Sequence, residues 1–436
     1  MSTKSISTEQ GDLGTAKAPA GRGFAWGFVA QGFSSAVNFG LAVMAGQLLG
    51  PKGLGVVFIG SVAYQFVLGL QRGIITQPLI AGGAPLTTPE RHRLAQSGLT
   101  IVVVSGFVFA VAFGLAGFAL GGDLGRGLLL FAPWTLAGLL QEFWKAVLFQ
   151  EGKGRTSAVS EATRLTVMAL LLPFALSHRN DYIIVGIWGI AAAIGFVVAF
   201  LGLRVPPGRP AEALSWLRHE AWALGRWLGA REIVYQLGTY STVTALAVVI
   251  GSANLGGLRS AEALFSPFSL IAAAFLLPAL PALSRELAIS RRAAQRLALR
   301  ISVVAVAIGA SYLAVMAVLG RWLLTHLFGR SFAPFGGLIW PMATAQLLGA
   351  ASLAFGVLLI AETRGLVLLA AAIVGATTTF GFATSLGLTN GVTGAAWGLT
   401  IGAAVSAVFL VAAAGRRREP QTSEAPSVPG PQEGLR

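Results

Sequence analysis

The sequence predicts an all-α, polytopic membrane protein: twelve transmembrane helices in two parallel six-helix repeats. Three observations lead there. Of the 436 residues, 55% are hydrophobic and only 11% charged, and the mean hydropathy is +0.74, far more apolar than a soluble chain of this length. Twelve windows have the roughly 20 mostly apolar residues that crossing a bilayer requires: 24–48, 55–80, 97–121, 127–149, 158–177, 182–203, 232–251, 260–282, 299–324, 335–360, 365–387 and 392–414. Their long Ala, Leu, Val and Gly runs lack the ten-residue alternation of a barrel, and a helix satisfies its own backbone hydrogen bonds in lipid.

Residues 1–22 are polar and lack the apolar run of a signal peptide, so they are expected to form a disordered cytoplasmic tail. In the first window Gln31, Ser35 and Asn38 fall within about 60° of one another on a helical wheel, with Ala42 continuing the line. The second carries Gln65, Arg72 and Thr76, seven and four residues apart. The fourth holds Gln141 and Lys145 on one face, with Glu142 one turn from Lys145. The seventh has Glu232, Gln236 and Thr239 on one face, and the eighth opens with Arg259, Glu262 and Ser266.

The net charge of +14 does not point to nucleic acid. With an inside N-terminus, twenty-three of the 31 Lys and Arg fall on the cytoplasmic side, Arg164 among them as a helix-end residue. Six fall outside, including Arg259, and Arg72 and Lys145 fall within helices. That asymmetry is the positive-inside signal of membrane topology. Both termini are therefore expected in the cytoplasm. The absence of cysteine excludes disulfides, thiolate metal sites and cysteine nucleophiles.

Residues 24–203 and 232–414 repeat the same punctuation in order. GPKGLG (50–55) corresponds to GSANLG (251–256), Pro78 to Pro278, HRLA (92–95) to QRLA (295–298), and PWTLAGLL (133–140) to PMATAQLL (341–348). QEGKG (150–154) corresponds to AETRG (361–365), pairing Glu151 with Glu362 and Lys153 with Arg364, and GIWGIA (186–191) to GVTGAA (391–396). An even number of crossings per half makes the repeats parallel, an arrangement that places ligand sites between halves. The expected organisation is an N-lobe over 23–203, a cytoplasmic linker over 204–231, a C-lobe over 232–414 and a disordered cytoplasmic tail over 415–436. Within the linker, Leu217, Ala221, Leu224 and Leu228 form an apolar stripe, which predicts a helix lying on the inner leaflet, anchored by Trp216, Trp222 and Trp227.

An ionisable group at the membrane centre costs roughly 2.5 to 3.5 kcal/mol on insertion scales, so such groups face a bundle interior or water. Glu142 and Lys145 can neutralise each other along their helix, as a ligand-lining pair or as a structural one. Arg72 has no acidic partner within a turn of its own helix and needs a carboxylate across the bundle or an anionic ligand. The stripe of the first helix serves either a cavity or helix packing.

The twelve windows, the duplication and three stretches, AGQLLGPKGLG (45–55), LFQEGKGR (148–155) and NGVTGAAWG (390–398), resemble the polysaccharide flippase branch of the multidrug, oligosaccharidyl-lipid and polysaccharide exporter superfamily. The resemblance spans residues 24–414 through loose motifs. It implies two six-helix lobes around a cavity of alternating access that moves a polyprenyl-diphosphate-linked oligosaccharide across the cytoplasmic membrane for surface polysaccharide synthesis. It implies a monomeric transport unit among membrane lipids, working beside a polysaccharide polymerase and export machinery, with no enzymatic activity, cofactor or metal. The expected substrate-binding residues are Arg72, Lys145 and Arg259 for anionic groups, Gln31, Asn38, Gln65 and Gln141 for hydroxyls, and Glu142 as the partner of Lys145. Glu142 and Glu232 are the candidates for proton coupling. A cation-coupled multidrug exporter is the first alternative, although the first window lacks the carboxylate that such exporters often use. A membrane polymerase or ligase is the second, although the expected external loops offer only His178 and His326 as bases and no HExxH, Walker A or GxSxG stretch occurs.

Overall fold

The computed structural model describes residues 20–83, 86–362 and 364–416; the predicted tails fall almost wholly outside them. The described residues are helical almost throughout, with no strand among them. We number the helices α1 (20–49), α2 (51–83), α3 (88–120), α4 (122–150), α5 (154–178), α6 (181–203), α7 (210–249), α8 (251–289), α9 (291–328), α10 (330–361), α11 (365–390) and α12 (392–415). Two boundaries are single glycines inside continuous helical runs: Gly50 at φ 72° and Gly391 at φ 61° turn the chain back without a loop, a conformation that costs other residues a Cβ clash. Among the described residues, seven helical stretches, each kinked run counted once, are long and apolar enough to cross a membrane. Their outward faces suit hydrocarbon: on α3, Phe107, Leu115 and Phe118 are 64%, 68% and 79% exposed.

Equivalent motifs in the two halves make equivalent bonds. Glu151, at the C-terminal end of α4, pairs with Arg91 at the start of α3 (Nε–Oε1 2.8 Å), and Glu362, at the end of α10, pairs with Arg291 at the start of α9 (2.6 Å). Lys153 donates to the Gly202 carbonyl in the last turn of α6 (2.9 Å), and Arg364 to the Ala413 carbonyl in the last turn of α12 (2.8 Å). Each acid and base thus satisfies a charge and an orphan helix-end carbonyl together.

Three expectations need correction. First, the gap between the seventh and eighth windows, residues 252–259, reads in the sequence as an external loop, yet Gly251–Ala263 is helix. Hydropathy passed over this small, polar stretch because its packing against α2, rather than its apolarity, buries Leu255 and Leu258. Second, no break at residue 231 separates the linker helix from the first helix of the C-lobe. Pro210–Trp216 runs through a π-turn, Leu217–Ala221, straight into Trp222–Val249. Trp216 is buried against the protein core rather than set in headgroups, whereas Trp222 is 57% exposed. The chain before this helix is tied to α3, since the Gly208 carbonyl accepts from Thr100 (2.9 Å) and its amide donates to the Gln96 carbonyl (3.2 Å). The side chains of Leu224, Trp227 and Leu228 lie outside the described set. Third, Arg164 is not at a helix end: it lies inside Gly154–His178 and is buried.

Candidate functional site

α2 organises the space between the halves through its glycines. Near its start Gly55 packs on the backbone of Ser252 in α8, and Gly256 of α8 packs on the carbonyl of Pro51. Near its other end Gly69 accepts the side chain of Gln236 in α7, and a Cβ at Gly73 would come within 2.8 Å of the Gly229 Cα and 3.3 Å of the Glu232 Cβ. Between these two close approaches, α2 stands off from α7 and α8.

The gap holds a cavity of about 300 Å³ lined by Asn38 of α1, Ser61 and Gln65 of α2, Gln236 and Thr239 of α7, and Arg259 and Glu262 of α8. Phe58, Tyr235, Thr239 and Glu262 also line a second cavity of about 400 Å³ that extends into the C-terminal half past Gln346, Thr379 and Ser406. The two adjoin. Arg259 places its guanidinium 5.0 Å from the centre of the Phe58 ring and 2.9 Å from a Glu262 oxygen, so the ring and the carboxylate fix its direction. Glu232 accepts from Gln236 at 2.8 Å, below the cavity along α7. The arrangement offers amides and hydroxyls on several sides, one cation and one carboxylate.

Arg72, Glu142, Lys145 and Gln141 line neither of these cavities. They form a network inside the N-terminal half. Arg72 donates to Glu142 (2.8 Å), whose other oxygen accepts from Lys145 (2.8 Å). Lys145 is also 3.3 Å from Glu161, which accepts from Gln141 (2.8 Å) and Arg164 (2.9 Å), and Arg164 donates to Gln141 as well (3.0 Å). Three cations and two carboxylates from α2, α4 and α5 leave one net positive charge. Exposure grades along the chain of contacts: the side chains of Glu161 and Arg164 are 0% and 4% exposed, Glu142 and Lys145 10% and 13%, and Arg72 43%. Each buried charge thereby has a partner of opposite sign and further hydrogen bonds, which is what makes its desolvation tolerable.

Arg72 is where this network meets open space. It begins a π-turn, Arg72–Thr76, placed one residue before Pro78, whose missing N–H cannot serve the Ile74 carbonyl; the turn widens there instead, as π-bulges do at functional positions. Gln31 is exposed and lines neither cavity. Glu161 and Arg164 escaped the sequence reading, although their acid–base spacing of three residues repeats that of Glu142 and Lys145. His178 and His326 are exposed helix-end residues bonded to carbonyls of their own helices.

No family model and no curated protein matches the sequence. Solved structures match the fold over most of its length. An inward-facing multidrug resistance MATE family transporter of the MOP superfamily superposes with a TM-score of 0.69 at 14% identity, covering 87% of this chain and 93% of the other. The lipid II flippase MurJ in an inward closed conformation gives 0.70 at 10% identity, covering 90% and 87%. An outward-facing MATE transporter gives 0.62 at 15% identity, covering 91% and 96%. At these identities the likeness establishes a MATE-like fold and no more.

Proposed function

We propose that the protein is a membrane transporter that moves a polyprenyl-diphosphate-linked oligosaccharide between leaflets of the cytoplasmic membrane by alternating access, its two six-helix halves rocking about the cavity between them. The observation that carries this reading is the cavity of Asn38, Ser61, Gln65, Gln236, Thr239 and Arg259. A sugar headgroup entering hydrocarbon forfeits hydrogen bonds worth several kcal/mol each. Amides and hydroxyls on facing helices replace those bonds, while the polyprenyl tail stays in lipid. Arg259 supplies a cation for a phosphate or an acidic sugar, and Arg72 supplies another at the exposed end of the buried network.

Two likenesses support the transporter class: the neighbour described as a lipid II flippase and the neighbours described as multidrug transporters. A cation-coupled drug exporter is the second reading, favoured by the carboxylate of Glu262 in both cavities. The deciding experiment reconstitutes the purified protein in vesicles. A fluorescent polyprenyl-diphosphate oligosaccharide should become accessible to a non-permeant lectin or quencher on the far leaflet faster than in empty vesicles. No acceleration, together with proton- or sodium-driven uptake of a cationic dye, would replace this reading with the second.

A further inference from the structure

A cavity of about 410 Å³ lies apart from the central pair, at the end of the N-terminal half where α1 turns into α2. Its wall brings together Lys52 from the first turn of α2, Asp123 and Arg126 from the first turn of α4, and Arg179 and Asp181 from the α5–α6 corner. Three helices begin here: α2, α4 and α6. Their N-terminal ends add fractional positive charge, although at α6 the Tyr182 amide is already taken by the Asn180 side chain (2.8 Å) and Asp181.

The two carboxylates in the wall are already engaged. Asp181 receives Arg126 in a two-pronged pair (Nε–Oδ2 2.6 Å, Nη2–Oδ1 2.9 Å) and the Tyr182 amide (3.1 Å). Asp123 accepts from the Ser252 hydroxyl across the α2–α8 seam (2.6 Å) and stands 3.7 Å from Lys52. Lys52 and Arg126 nevertheless keep 71% and 53% of their side chains exposed. Arg179 has no carboxylate within ion-pair range among the described residues. The wall therefore carries a surplus positive charge on donors converging from three segments, and nothing in it consumes that charge.

We propose that this cavity binds a phosphoryl group, a phosphate or diphosphate, through Lys52, Arg126 and Arg179. Tetrahedral oxygens suit donors arriving from several directions, and Arg adds paired N–H groups to Lys's point charge. The site adjoins the seam: the Pro51 carbonyl that abuts Gly256 is next to Lys52, and Asp123 holds Ser252. An anion drawing Lys52 away from Asp123 acts at the place where the halves meet. Binding at this site is independent of the flippase reading; only the idea that the phosphoryl group arrives on a transported lipid rests on it.

The test uses the full-length protein in neutral detergent at low ionic strength with pyrophosphate as probe, read by calorimetry. Lys52→Gln and Arg179→Gln should each weaken binding at least about tenfold, while Arg330→Gln, exposed and outside the cavity wall, leaves it unchanged. Equal binding by the wild type and both cavity variants would overturn the proposal, as would an equal loss in Arg330→Gln. Loss in Arg259→Gln alone would assign the anion to the central cavity and overturn it too. A second arm places the protein in neutral-lipid nanodiscs doped with a polyprenyl phosphate. Lipid retention that depends on Arg179 identifies a headgroup as the source of the phosphoryl group, whereas pyrophosphate binding without retention identifies a soluble phosphate.

Discussion

Gly55 of α2 and Gly256 of α8 are mirror halves of one contact: Gly55 packs on the backbone of Ser252, and Gly256 packs on the backbone of Pro51. The four positions come from GPKGLG and GSANLG, in which Pro51 corresponds to Ser252 and Gly55 to Gly256. The repeated stretch is thus its own partner, and a pseudo-twofold relation between the halves follows from the pairing. Glycine is required at both places because a Cβ on either would overlap a backbone carbonyl that cannot move aside without moving its helix.

A side chain at either glycine should therefore force α2 and α8 apart. With no native cysteine, spin labels at Lys52→Cys and Ala253→Cys can report the separation. Gly55→Leu and Gly256→Leu should each lengthen and broaden the distance distribution, and the double variant should exceed either. An unchanged distribution in all three would mean that the seam tolerates bulk and does not set the closure.

The buried network predicts a gradient of stability. Glu161 faces two cations and an amide with its side chain fully buried, so Glu161→Leu leaves Arg164 without a carboxylate while Lys145 keeps only Glu142, and breaking a buried pair in this way costs about 3–5 kcal/mol. Arg72 sits at the exposed end, and Arg72→Gln should cost about 1 kcal/mol or less. Unfolding midpoints in detergent measure both. A larger loss for Arg72→Gln than for Glu161→Leu would reverse the assignment of which end carries the structural role.

Much of this was legible in the sequence because hydrocarbon imposes a simple rule: each turn of membrane helix is apolar unless a partner or a cavity excuses it. The long apolar windows and the anomaly of Glu142 beside Lys145 follow from it. Helix ends were less legible. Residues 251–259 are polar and small, and only contact with α2 makes them helix, which is why hydropathy opens the eighth window at 260 although the helix begins at Gly251. Partner choice was the least legible of all. That Arg72 bonds Glu142 across seventy residues, or that Glu161 and Arg164 complete the network, depends on which faces of α2, α4 and α5 meet, and wheel positions on single helices do not contain that information.

The two carboxylates considered for proton coupling are now separable. Glu142 is held by Arg72 and Lys145, so its replacement disturbs the network. Glu232 is bonded to the neutral Gln236 amide, so Glu232→Gln loses a charge and little packing. If transport in vesicles responds to a pH gradient, Glu232→Gln should abolish that response while leaving the unfolding midpoint near that of the wild type. A response retained in Glu232→Gln and lost only in stably folded Glu142→Gln would move the coupling role into the network.

Arg259 offers the sharpest test of the central cavity because geometry separates its charge from its shape. Its guanidinium lies over Phe58 and against Glu262, and it lines the cavity with Asn38 and Gln65. Arg259→Lys keeps the charge but loses the planar face and the paired donors, so it should retain part of the transport rate. Arg259→Ala removes both and leaves Glu262 as an uncompensated acid in the cavity, which repels an anionic headgroup. In a host that depends on this protein for surface polysaccharide, Arg259→Ala should lower the polymer at least about tenfold, a loss of about 1.4 kcal/mol in the rate-determining step. Adding Glu262→Gln should recover part of it by removing the unpaired acid. If the single and double variants support polymer equally with the wild type, the cation in this cavity serves packing with Phe58, and the anionic part of the substrate is handled elsewhere.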